Sequence, residues 1–458
     1  MEPNAPRLLF LNPPHDLPIM RRYMCSYYSP EYLLPPHDLM QLATYVREIN
    51  QVEVAVLDAV AHRYSEAQVI ERIARYGPDM IVALTGIRIF GDDMACLERV
   101  KAAFPDVPLA ILGFYPTCFP EEVLRNSSVD MVLRREPELP LSQYLDALRQ
   151  GRPVDAIAGL AGRRVDGSLF INKDQRVQSL NAIPFPDPDL VDIARYEEAF
   201  LGGPCGAILS ARGCRFSCTY CTTTYGRTMV MKSPETVVAE MRYLVQKGAR
   251  IIRFLDDTFT FDRQRVLDIC RLLIEQEQHI PWTCLARVDT VDAEMLDWMR
   301  RAGCKRIMVG VESYSANVLN ILNKGIDPST INPQLALIRK AGIEALGFFM
   351  VGAPFETEAD FQETVRGALA SPLNFLIINT VDPYAGTPYF NQFADQIEFS
   401  LLPYKCEYKD PEVQRVGRER YRRLYRRFYL RPIIFWRQFF AFLRHPLRSI
   451  QLLIMFGR

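Results

Sequence analysis

The sequence predicts an α/β protein that contains a doubly wound parallel sheet, then a partial (β/α)6 barrel, and finally a helical C-terminal tail. Three observations lead to this prediction. Short apolar runs alternate with amphipathic stretches over the first 150 residues. The alternation resumes, at more regular intervals, from Gly206 to Val381. Beyond about residue 400, arginine and aromatic residues replace it. Strands that alternate with helices favour parallel sheets covered on both faces.

Residues 1–150 supply five candidate strands and four candidate helices. Each candidate strand is aliphatic or β-branched and ends in polar or turn residues. The candidate strands are Arg7–Asn12, Val52–Asp58, Met80–Gly86, Leu109–Gly113 and Val129–Arg134. The amphipathic stretches between them are His37–Ile49, Ser65–Tyr76, Asp92–Phe104 and Glu138–Arg149. This order predicts a Rossmann-like domain, whose ligands bind at the carboxyl edge of the sheet.

The stretch 151–200 changes character. Its segment AIPFPDPDL is rich in proline and aspartate and has no period. We therefore predict an extended linker between two domains.

Residues 201–400 contain six further candidate strands, each followed by a helical pattern. One of these helices has clear ends, because Ser233 and Pro234 suit its start and Gly248 suits its end. Six such units predict a six-stranded relative of the eight-stranded α/β barrel, with its chemistry at the C-terminal ends of the strands. The candidate strands are AILSA, IIRFLD, WTCLARV, RIMVGVE, LGFFMVG and FLIINTV.

Residues 401–458 form a basic and aromatic extension, which we predict to be helical. Arginines crowd the stretch from Arg415 to Arg431, and the segment PIIFWRQFFAFL follows. The segment is too short to span a bilayer, but a basic aromatic helix can lie at a membrane surface. The alternative is a helix packed on its own barrel or on another subunit.

The composition indicates which partners and which cellular compartment to expect. The chain has 54 basic and 54 acidic side chains, so we expect no nucleic-acid partner. Its N-terminus, MEPNAPRLLFLNPPHD, lacks the basic region and the long apolar core of a secretion signal. Eleven cysteines without such a signal suit a reducing cytoplasm, with free or metal-bound thiols.

Three cysteines, Cys214, Cys218 and Cys221, follow the first candidate barrel strand closely. Thiolates are the usual protein ligands of iron–sulfur clusters, so three on one short loop predict a 4Fe–4S cluster whose fourth iron stays open. A structural zinc site would need a fourth cysteine or histidine. Cys205, which precedes the strand, is the one nearby candidate.

With Tyr220 before its third cysteine, the CxxxCxxC motif resembles the signature of the radical S-adenosylmethionine (SAM) superfamily. The segments FLDDTFTFD, LARVD, GVES, LNKG, GFFMVGAPFET and PYAGTP follow in the order typical of the class with an N-terminal cobalamin-binding domain. PPHDLMQLATYVRE, PDMIVALTG and LGFYPTCFPEEVL match its N-terminal half. The resemblance covers nearly the whole chain. It implies an enzyme that binds SAM at the open iron and cleaves it to a 5′-deoxyadenosyl radical, which abstracts a substrate hydrogen.

The resemblance also implies SAM-binding roles for residues at the ends of the barrel strands. Asp256 and Asp257 end the second barrel strand, where the family binds the amino group of SAM; a capping pair is the alternative. Arg287 and Glu312 end the third and fourth strands, where contacts with the carboxylate and ribose are expected. A structural ion pair is the alternative for these two residues.

Gly352 and Pro354 stand where the family lays adenine along a strand end, although tight turns alone would explain them. Two departures add bulk near this rim. After the glutamate of the fourth strand the family usually has Gly-Ser, whereas this chain reads Glu312-Ser313-Tyr314-Ser315. The glycine of the usual Pro-Gly-Glu-Thr is Phe355 here.

Cobalamin binding is implied by the resemblance and is less well supported by the residues. The pattern DxHxxG is absent, and Gly113-Phe114-Tyr115-Pro116 stands where the family has Gly-Gly-x-His. Gly86, Gly113 and Tyr115 lie at the open end of the predicted sheet and are the expected contacts. The alternative is a domain that serves as a scaffold only.

The resemblance favours cobalamin-dependent methyl transfer to an unactivated carbon or phosphorus. One alternative is cyclisation or oxidation of a large apolar, porphyrin- or lipid-like substrate. Another is a radical SAM enzyme whose N-terminal domain binds no cobalamin. The expected partners are a small-molecule substrate, an electron donor such as flavodoxin or ferredoxin, and, through the C-terminal tail, a membrane surface.

Overall fold

The structure is a computed structural model that describes residues 5–22, 25–28, 33–198, 201–222 and 225–432, with only the backbone of 25–28. The aromatic segment 433–458, on which much of the membrane prediction depends, lies outside the described residues. None of the described helices is long and apolar enough to cross a bilayer.

The N-terminal half is built on one mixed sheet. Its strands and hairpin strands are β1 (Arg7–Asn12), β2 (Ile19–Arg22), β3 (Cys25–Tyr28), β4 (Glu53–Asp58), β5 (Met80–Leu84), β6 (Leu109–Leu112), β7 (Met131–Leu133), β8 (Leu160–Arg163) and β9 (Leu169–Ile171). Its helices are α1 (His37–Asn50), α2 (Ala59–His62), α3 (Glu66–Tyr76), α4 (Phe90–Ala103), α5 (Phe114–Cys118), α6 (Pro120–Asn126) and α7 (Glu138–Arg149).

The strand order of this sheet is β4-β1-β5-β6-β7-β8-β9. The first five strands are parallel, as predicted, and β8 and β9 are antiparallel. Alternate residues of β1 enter two different cores: Leu8 and Phe10 lie on one face and Leu9 and Leu11 on the other. The sheet is therefore covered on both sides, as the continuous apolar strands indicated.

Two elements of this half were not anticipated. β8 and β9 lie inside the stretch 151–200, which was predicted to be a linker without regular structure. They form a hairpin around Gly167, whose φ of 83° suits a tight turn, and Phe170 is buried in the core. The second element is the β2–β3 hairpin, which follows β1.

The second half contains the predicted barrel sheet. Its strands are β10 (Cys205–Ile208), β11 (Ala211–Arg212), β12 (Val230–Met231), β13 (Ile251–Phe254), β14 (Trp282–Arg287), β15 (Cys304–Glu312), β16 (Glu344–Val351) and β17 (Phe375–Thr380). Its helices are α8 (Pro234–Gln246), α9 (Arg263–Glu275), α10 (Ala293–Arg301), α11 (Ala316–Ile321), α12 (Pro328–Lys340) and α13 (Glu358–Ala370).

The six strands β10, β13, β14, β15, β16 and β17 pair in this order, all in parallel. This confirms the partial barrel. The first strand differs from the prediction, since β10 ends at Ile208 and Ala211–Arg212 pairs with Val230–Met231 instead. Leu209 and Leu255 from this region pack into the core on one face of the N-terminal sheet, so the two halves share apolar contacts.

The elements after β17 are α14 (Pro388–Gln392), β18 (Ile397–Ser400), β19 (Lys405–Tyr408) and α15 (Pro411–Tyr429). The prediction of a helical extension over residues 401–458 holds for α15. It is wrong for residues 401–408, which belong to the antiparallel hairpin of β18 and β19. Phe399 and Tyr404 of this hairpin pack against the core of the N-terminal sheet, a tertiary contact that local sequence does not reveal.

Candidate active site at the strand ends

The cysteine loop begins directly after β11. Gly213 takes a φ of 93°, and a Cβ at this position would lie 2.3 Å from the carbonyl oxygen of Thr228. The turn therefore requires glycine. The backbone N–H of Cys214 donates to the carbonyl oxygen of Gly226 (3.1 Å), which closes the base of the loop.

Two of the three cysteine thiols of this loop have a raised pKa. Burial raises the pKa of the Cys221 thiol well above its ordinary value, and Asp257, Cys214 and Cys218 raise it further. Burial likewise raises the pKa of the Cys214 thiol, so Cys214 and Cys221 stay protonated unless a metal ionises them. Cys205 is fully buried in β10, and its thiol donates to the carbonyl oxygen of Gly206 (3.5 Å).

The donor set of this site is three thiols on one loop. Among the residues described, no three His, Cys, Asp or Glu side chains are arranged to hold one metal ion. A cubane cluster takes one thiolate on each of its irons. Three thiols on one loop therefore suit a 4Fe–4S cluster with one iron free of protein ligands.

Arg287, the last residue of β14, lies against this loop. Its Nη1 is 3.8 Å from the Cys218 sulfur, and its guanidinium stacks 3.8 Å from the centre of the Phe216 ring. Asp289 accepts from its Nε (3.0 Å) and Nη2 (2.9 Å), and the carbonyl oxygen of Lys324 also accepts from Nη2 (2.7 Å). The ion pair of Arg287 is thus with Asp289 and not with Glu312.

A second cluster of polar groups joins the cysteine loop to β15. Tyr220 donates to Glu312 Oε1 (3.0 Å), and Lys324 Nζ contacts the same oxygen at 2.9 Å. Both Glu312 and Lys324 are buried. Glu312 adopts a φ of 64°, which is a strained conformation for a glutamate and one typical of functional sites.

The neighbouring aspartates at the end of β13 have different surroundings. Asp256 accepts from the N–H of Ser210 (2.6 Å), the hydroxyl of Ser210 (2.5 Å) and the N–H of Ala211 (3.1 Å). Its carboxylate thereby fastens the chain after β10 to the end of β13. Asp257 is the member of the pair whose charge reaches Cys214 and Cys221, and burial raises its own pKa to about 7.

The end of β16 is covered by α15. Gly352 takes a φ of 79°, and a Cβ there would lie 2.3 Å from the Cα of Gly417. The N–H of Gly352 donates to Glu356 (2.6 Å), which pairs with Arg420 (2.8 Å). Pro354 is half-buried beside it. A cleft of about 310 Å³ opens at this strand end, lined among others by Gly352, Thr380, Asp382, Tyr404 and Arg88.

The carboxyl edge of the N-terminal sheet is filled by side chains of the same chain. Arg21, from the β2–β3 hairpin, forms a buried ion pair with Asp93 (2.7 Å), and Asp93 also accepts from the N–H of Gly86 (2.7 Å). At β6, a Cβ on Gly113 would lie 2.4 Å from the hydroxyl oxygen of Thr85. This edge is the usual ligand site of a doubly wound sheet.

Tyr115 is buried in an aromatic cluster at the same edge. Its hydroxyl lies 3.1 Å from that of Tyr404, which comes from the loop between β18 and β19. Phe90 and Phe119 complete the cluster. Tyr115 therefore packs against protein and does not face an open sheet edge.

Sequence reasoning missed three residues that shape these sites. Lys324 belongs to the LNKG segment, which indicated the family but gave this lysine no role. Arg21 and Tyr404 lie on hairpins that the sequence analysis did not anticipate. The apolar–polar alternation around Arg21 was too short to be distinguished from a loop.

Residues 208–368 match the radical SAM superfamily. Over longer stretches the chain is similar to three curated proteins. An uncharacterized methyltransferase of Pyrococcus horikoshii is 28% identical, with 89% of this chain and 90% of that protein covered. Anaerobic magnesium-protoporphyrin IX monomethyl ester cyclase of Rubrivivax gelatinosus is 25% identical (90% and 75% covered). Cytidylyl-2-hydroxyethylphosphonate methyltransferase of Streptomyces wedmorensis is 26% identical (76% and 73% covered).

Solved structures that share the fold include a cobalamin-dependent enzyme and a methyltransferase. The cobalamin-dependent SAM radical enzyme OxsB, with aqua-cobalamin bound, superposes with a TM-score of 0.74 at 17% identity, covering 91% of this chain and 66% of that one. The radical SAM methyltransferase TsrM of Kitasatospora setae, with cobalamin and a [4Fe-4S] cluster bound, gives a TM-score of 0.69 at 17% identity (86% and 78% covered). At this identity the likeness concerns the fold alone.

Proposed function

We propose that this radical SAM protein is an enzyme that cleaves SAM reductively at a 4Fe–4S cluster held by Cys214, Cys218 and Cys221. The observation that supports the proposal is that the loop carrying the three cysteines follows the first barrel strand and lies against the end of β14, where Arg287 Nη1 is 3.8 Å from the Cys218 sulfur. This edge is where α/β barrels perform chemistry.

The cluster, when bound, supplies the electron for SAM cleavage and an open iron for the amino and carboxylate groups of SAM. The chain's part is to hold the three thiolates on a loop that Gly213 turns and Tyr220 anchors to Glu312. The buried side chain of Arg287 adds positive charge beside Cys218. Hydrogen bonds to cluster sulfurs and nearby charges tune its reduction potential.

Among the expected SAM contacts we assign the amino group to Asp257. Asp256 is engaged with Ser210 and Ala211, so its carboxylate has a structural role. Glu312 and Lys324, next to Tyr220, are the proposed contacts for the ribose and the carboxylate. The strand end at Gly352 and Pro354 is the proposed adenine site, beside the cleft at β16 and β17.

Cobalamin dependence is supported by the fold shared with OxsB and TsrM. In this chain Arg21 with Asp93, and Tyr115 with Tyr404, fill the edge where a corrinoid would enter the N-terminal domain. In this arrangement these residues do not fit a corrinoid at that edge, and the proposed SAM cleavage depends on the cluster alone. Binding would require one of the two hairpins, β2–β3 or β18–β19, to move.

For the reaction, we propose methyl transfer to an unactivated carbon or phosphorus, because methyltransferases occur among the similar proteins. Cyclisation of a large apolar substrate is the second candidate, favoured by the similarity to a porphyrin-ester cyclase. Both need a one-electron donor such as flavodoxin or ferredoxin. We also propose that the chain divides near residue 200 into an N-terminal domain and the barrel domain. The proposed location of the enzyme is the cytoplasm.

The test is anaerobic reconstitution with iron, sulfide and cobalamin, followed by an assay for 5′-deoxyadenosine with SAM and dithionite. The variant C214A/C218A/C221A should bind no 4Fe–4S cluster and release no deoxyadenosine. The matched control is Cys270→Ala, which removes a buried core thiol far from the loop in sequence and should keep the cluster, with about four irons per chain.

Wild-type protein that holds a full iron complement but releases no deoxyadenosine would contradict the proposal. Deoxyadenosine with bound corrinoid would support cobalamin dependence. Deoxyadenosine without corrinoid would keep the radical chemistry and leave the N-terminal domain as a scaffold.

A further inference from the structure

The net charge of the chain is zero, but its positive and negative charges are unevenly distributed along the sequence. Residues 411–458 contain twelve arginines and two glutamates and no other charged side chains apart from His445. Because the whole chain has 54 basic and 54 acidic side chains, residues 1–410 carry an excess of ten acidic side chains. The stretch 411–458 is thus strongly cationic, and the rest of the sequence is acidic.

Helix α15 contains seven of these arginines, and one group of them contacts the barrel. Arg420 pairs with Glu356 (2.8 Å) and Arg423 with Glu358 (2.6 Å). Arg427 donates to Gln362 (3.4 Å). Arg415 is exposed and pairs with Glu412 of its own helix.

A second group has no such partners. Arg418, Arg422 and Arg426 recur every four residues, so they align along one face of the helix. We call this set the arginine stripe. All three are exposed, and none makes an ion pair with a residue that the structure describes. The buried residues of the helix, Leu424 and Phe428 among them, lie on the opposite face.

Exposed apolar groups accompany the arginine stripe. Tyr421 is 38% exposed and Leu430 is 70% exposed, among the few large hydrophobic side chains on the described surface. Tyr421 stacks on Tyr425 with ring centroids 6.0 Å apart. A row of cations beside tyrosine and leucine side chains is the composition of a helix that lies in a membrane interface.

We propose that the arginine stripe binds the headgroup phosphates of an anionic lipid bilayer and holds the protein at the membrane surface. Guanidinium groups match phosphate geometry, and each basic side chain near an anionic surface contributes to attraction. The excess acid of the remaining chain is repelled by the same surface, which orients α15 toward it. This interaction is independent of the proposed radical chemistry.

The bilayer is favoured over a nucleic acid because of the apolar side chains beside the stripe. The sequence after α15 also continues this composition, with Phe435, Trp436, Phe439 and Phe440 between Arg437 and Arg444. Bases would stack on exposed aromatic rings, but Leu430 and the aliphatic residues that follow suit hydrocarbon. RNA is therefore an outcome that the test must separate.

The experiment is co-sedimentation of the full chain with two kinds of vesicle: phosphatidylcholine alone, and phosphatidylcholine with about one third phosphatidylglycerol. The test variant is R418Q/R422Q/R426Q. The matched control is R420Q/R423Q/R427Q, which removes the same charge from the face of the same helix that contacts the barrel. Circular dichroism and the thermal midpoint of each variant show whether it is folded.

We expect the wild type to bind the anionic vesicles, to lose binding in about 1 M salt, and to bind neutral vesicles poorly. The stripe variant should bind about a hundredfold more weakly, and a folded control should bind nearly as well as the wild type. Equal loss in both variants would overturn the assignment to the stripe. If the control does not fold, Arg427→Gln alone replaces it. Binding that is unchanged in the stripe variant, equal on neutral vesicles, or displaced by RNA would overturn the proposal.

Discussion

Arg287 points its Nη1 at the sulfur of Cys218 from 3.8 Å, and its other nitrogens are held by Asp289 and by the carbonyl oxygen of Lys324. The guanidinium is thereby oriented toward the cysteine loop by three separate acceptors. An arginine free to reach SAM would lack this fixed partner set.

We expect Arg287→Gln to lower the midpoint potential of the reconstituted cluster. One positive charge and one N–H···S contact stabilise the more negative, reduced cluster, so their loss makes reduction harder. At an effective dielectric near 20, the shift is on the order of 50–100 mV. Redox titration followed by electron paramagnetic resonance measures it, with the exposed Arg263→Gln as control.

The titration is made without SAM. A residue that only binds SAM would leave the potential of the SAM-free cluster unchanged, and that result would refute the tuning role. Arg287→Lys should shift the potential less than Arg287→Gln, since it keeps the charge.

The stability of the cluster-free protein should depend on Asp257. Burial raises its pKa from an ordinary value of 3.8 to about 7, so the folded state binds a proton more tightly than the unfolded state does. Between about pH 4 and pH 7 this group therefore lowers stability as the pH rises, by at most roughly 4 kcal/mol. Asp257→Asn should show a stability advantage that grows over this window and is constant above it. Urea unfolding at several pH values measures the difference, and a difference that does not change with pH would contradict the assignment.

Replacing only one partner of the Arg21–Asp93 ion pair is expected to lower the folding stability strongly. Both side chains are almost completely buried, at 0% and 1% exposure. Arg21→Met leaves an unpaired buried carboxylate and should destabilise the N-terminal half by roughly 3–5 kcal/mol. The double variant R21M/D93L removes both charges and should recover a large part of the loss. Thermal unfolding of the two variants makes the comparison, and additive losses would indicate that the pair is not coupled.

The contact between Gly352 and Gly417 predicts a sharp difference between two glycine substitutions. Gly352→Ala places a Cβ 2.3 Å from the Cα of Gly417 in addition to the strain of its φ of 79°, which together should cost roughly 3–5 kcal/mol. Gly167→Ala is the matched control, because Gly167 has a φ of 83° and open space around its Cβ position. It should cost only about 1–2 kcal/mol. Equal losses in thermal stability would mean that α15 moves away freely.

Much of the fold follows from local pattern. The apolar strand β1 matches its predicted bounds because the run Arg7–Asn12 is aliphatic and ends in asparagine and prolines. The helix that starts at Pro234 is capped by Ser233, whose hydroxyl accepts from the N–H of Thr236 (3.3 Å). The dipeptide Ser-Pro predicts this cap from the sequence. The order of the barrel strands follows as well, since right-handed β–α units place successive parallel strands side by side.

Periodicity and motif spacing are local properties of the chain, so they were enough to predict the parallel strands of both sheets, the cysteine loop and the resemblance to the radical SAM superfamily. They do not indicate which polar groups meet in the folded protein. Asp256 accepts from Ser210, Glu312 pairs with Lys324 and not with Arg287, and Tyr404 contacts Tyr115 across 289 residues. Such partners are chosen by packing between distant segments, where burial makes each polar group find the acceptor or charge that the fold brings closest.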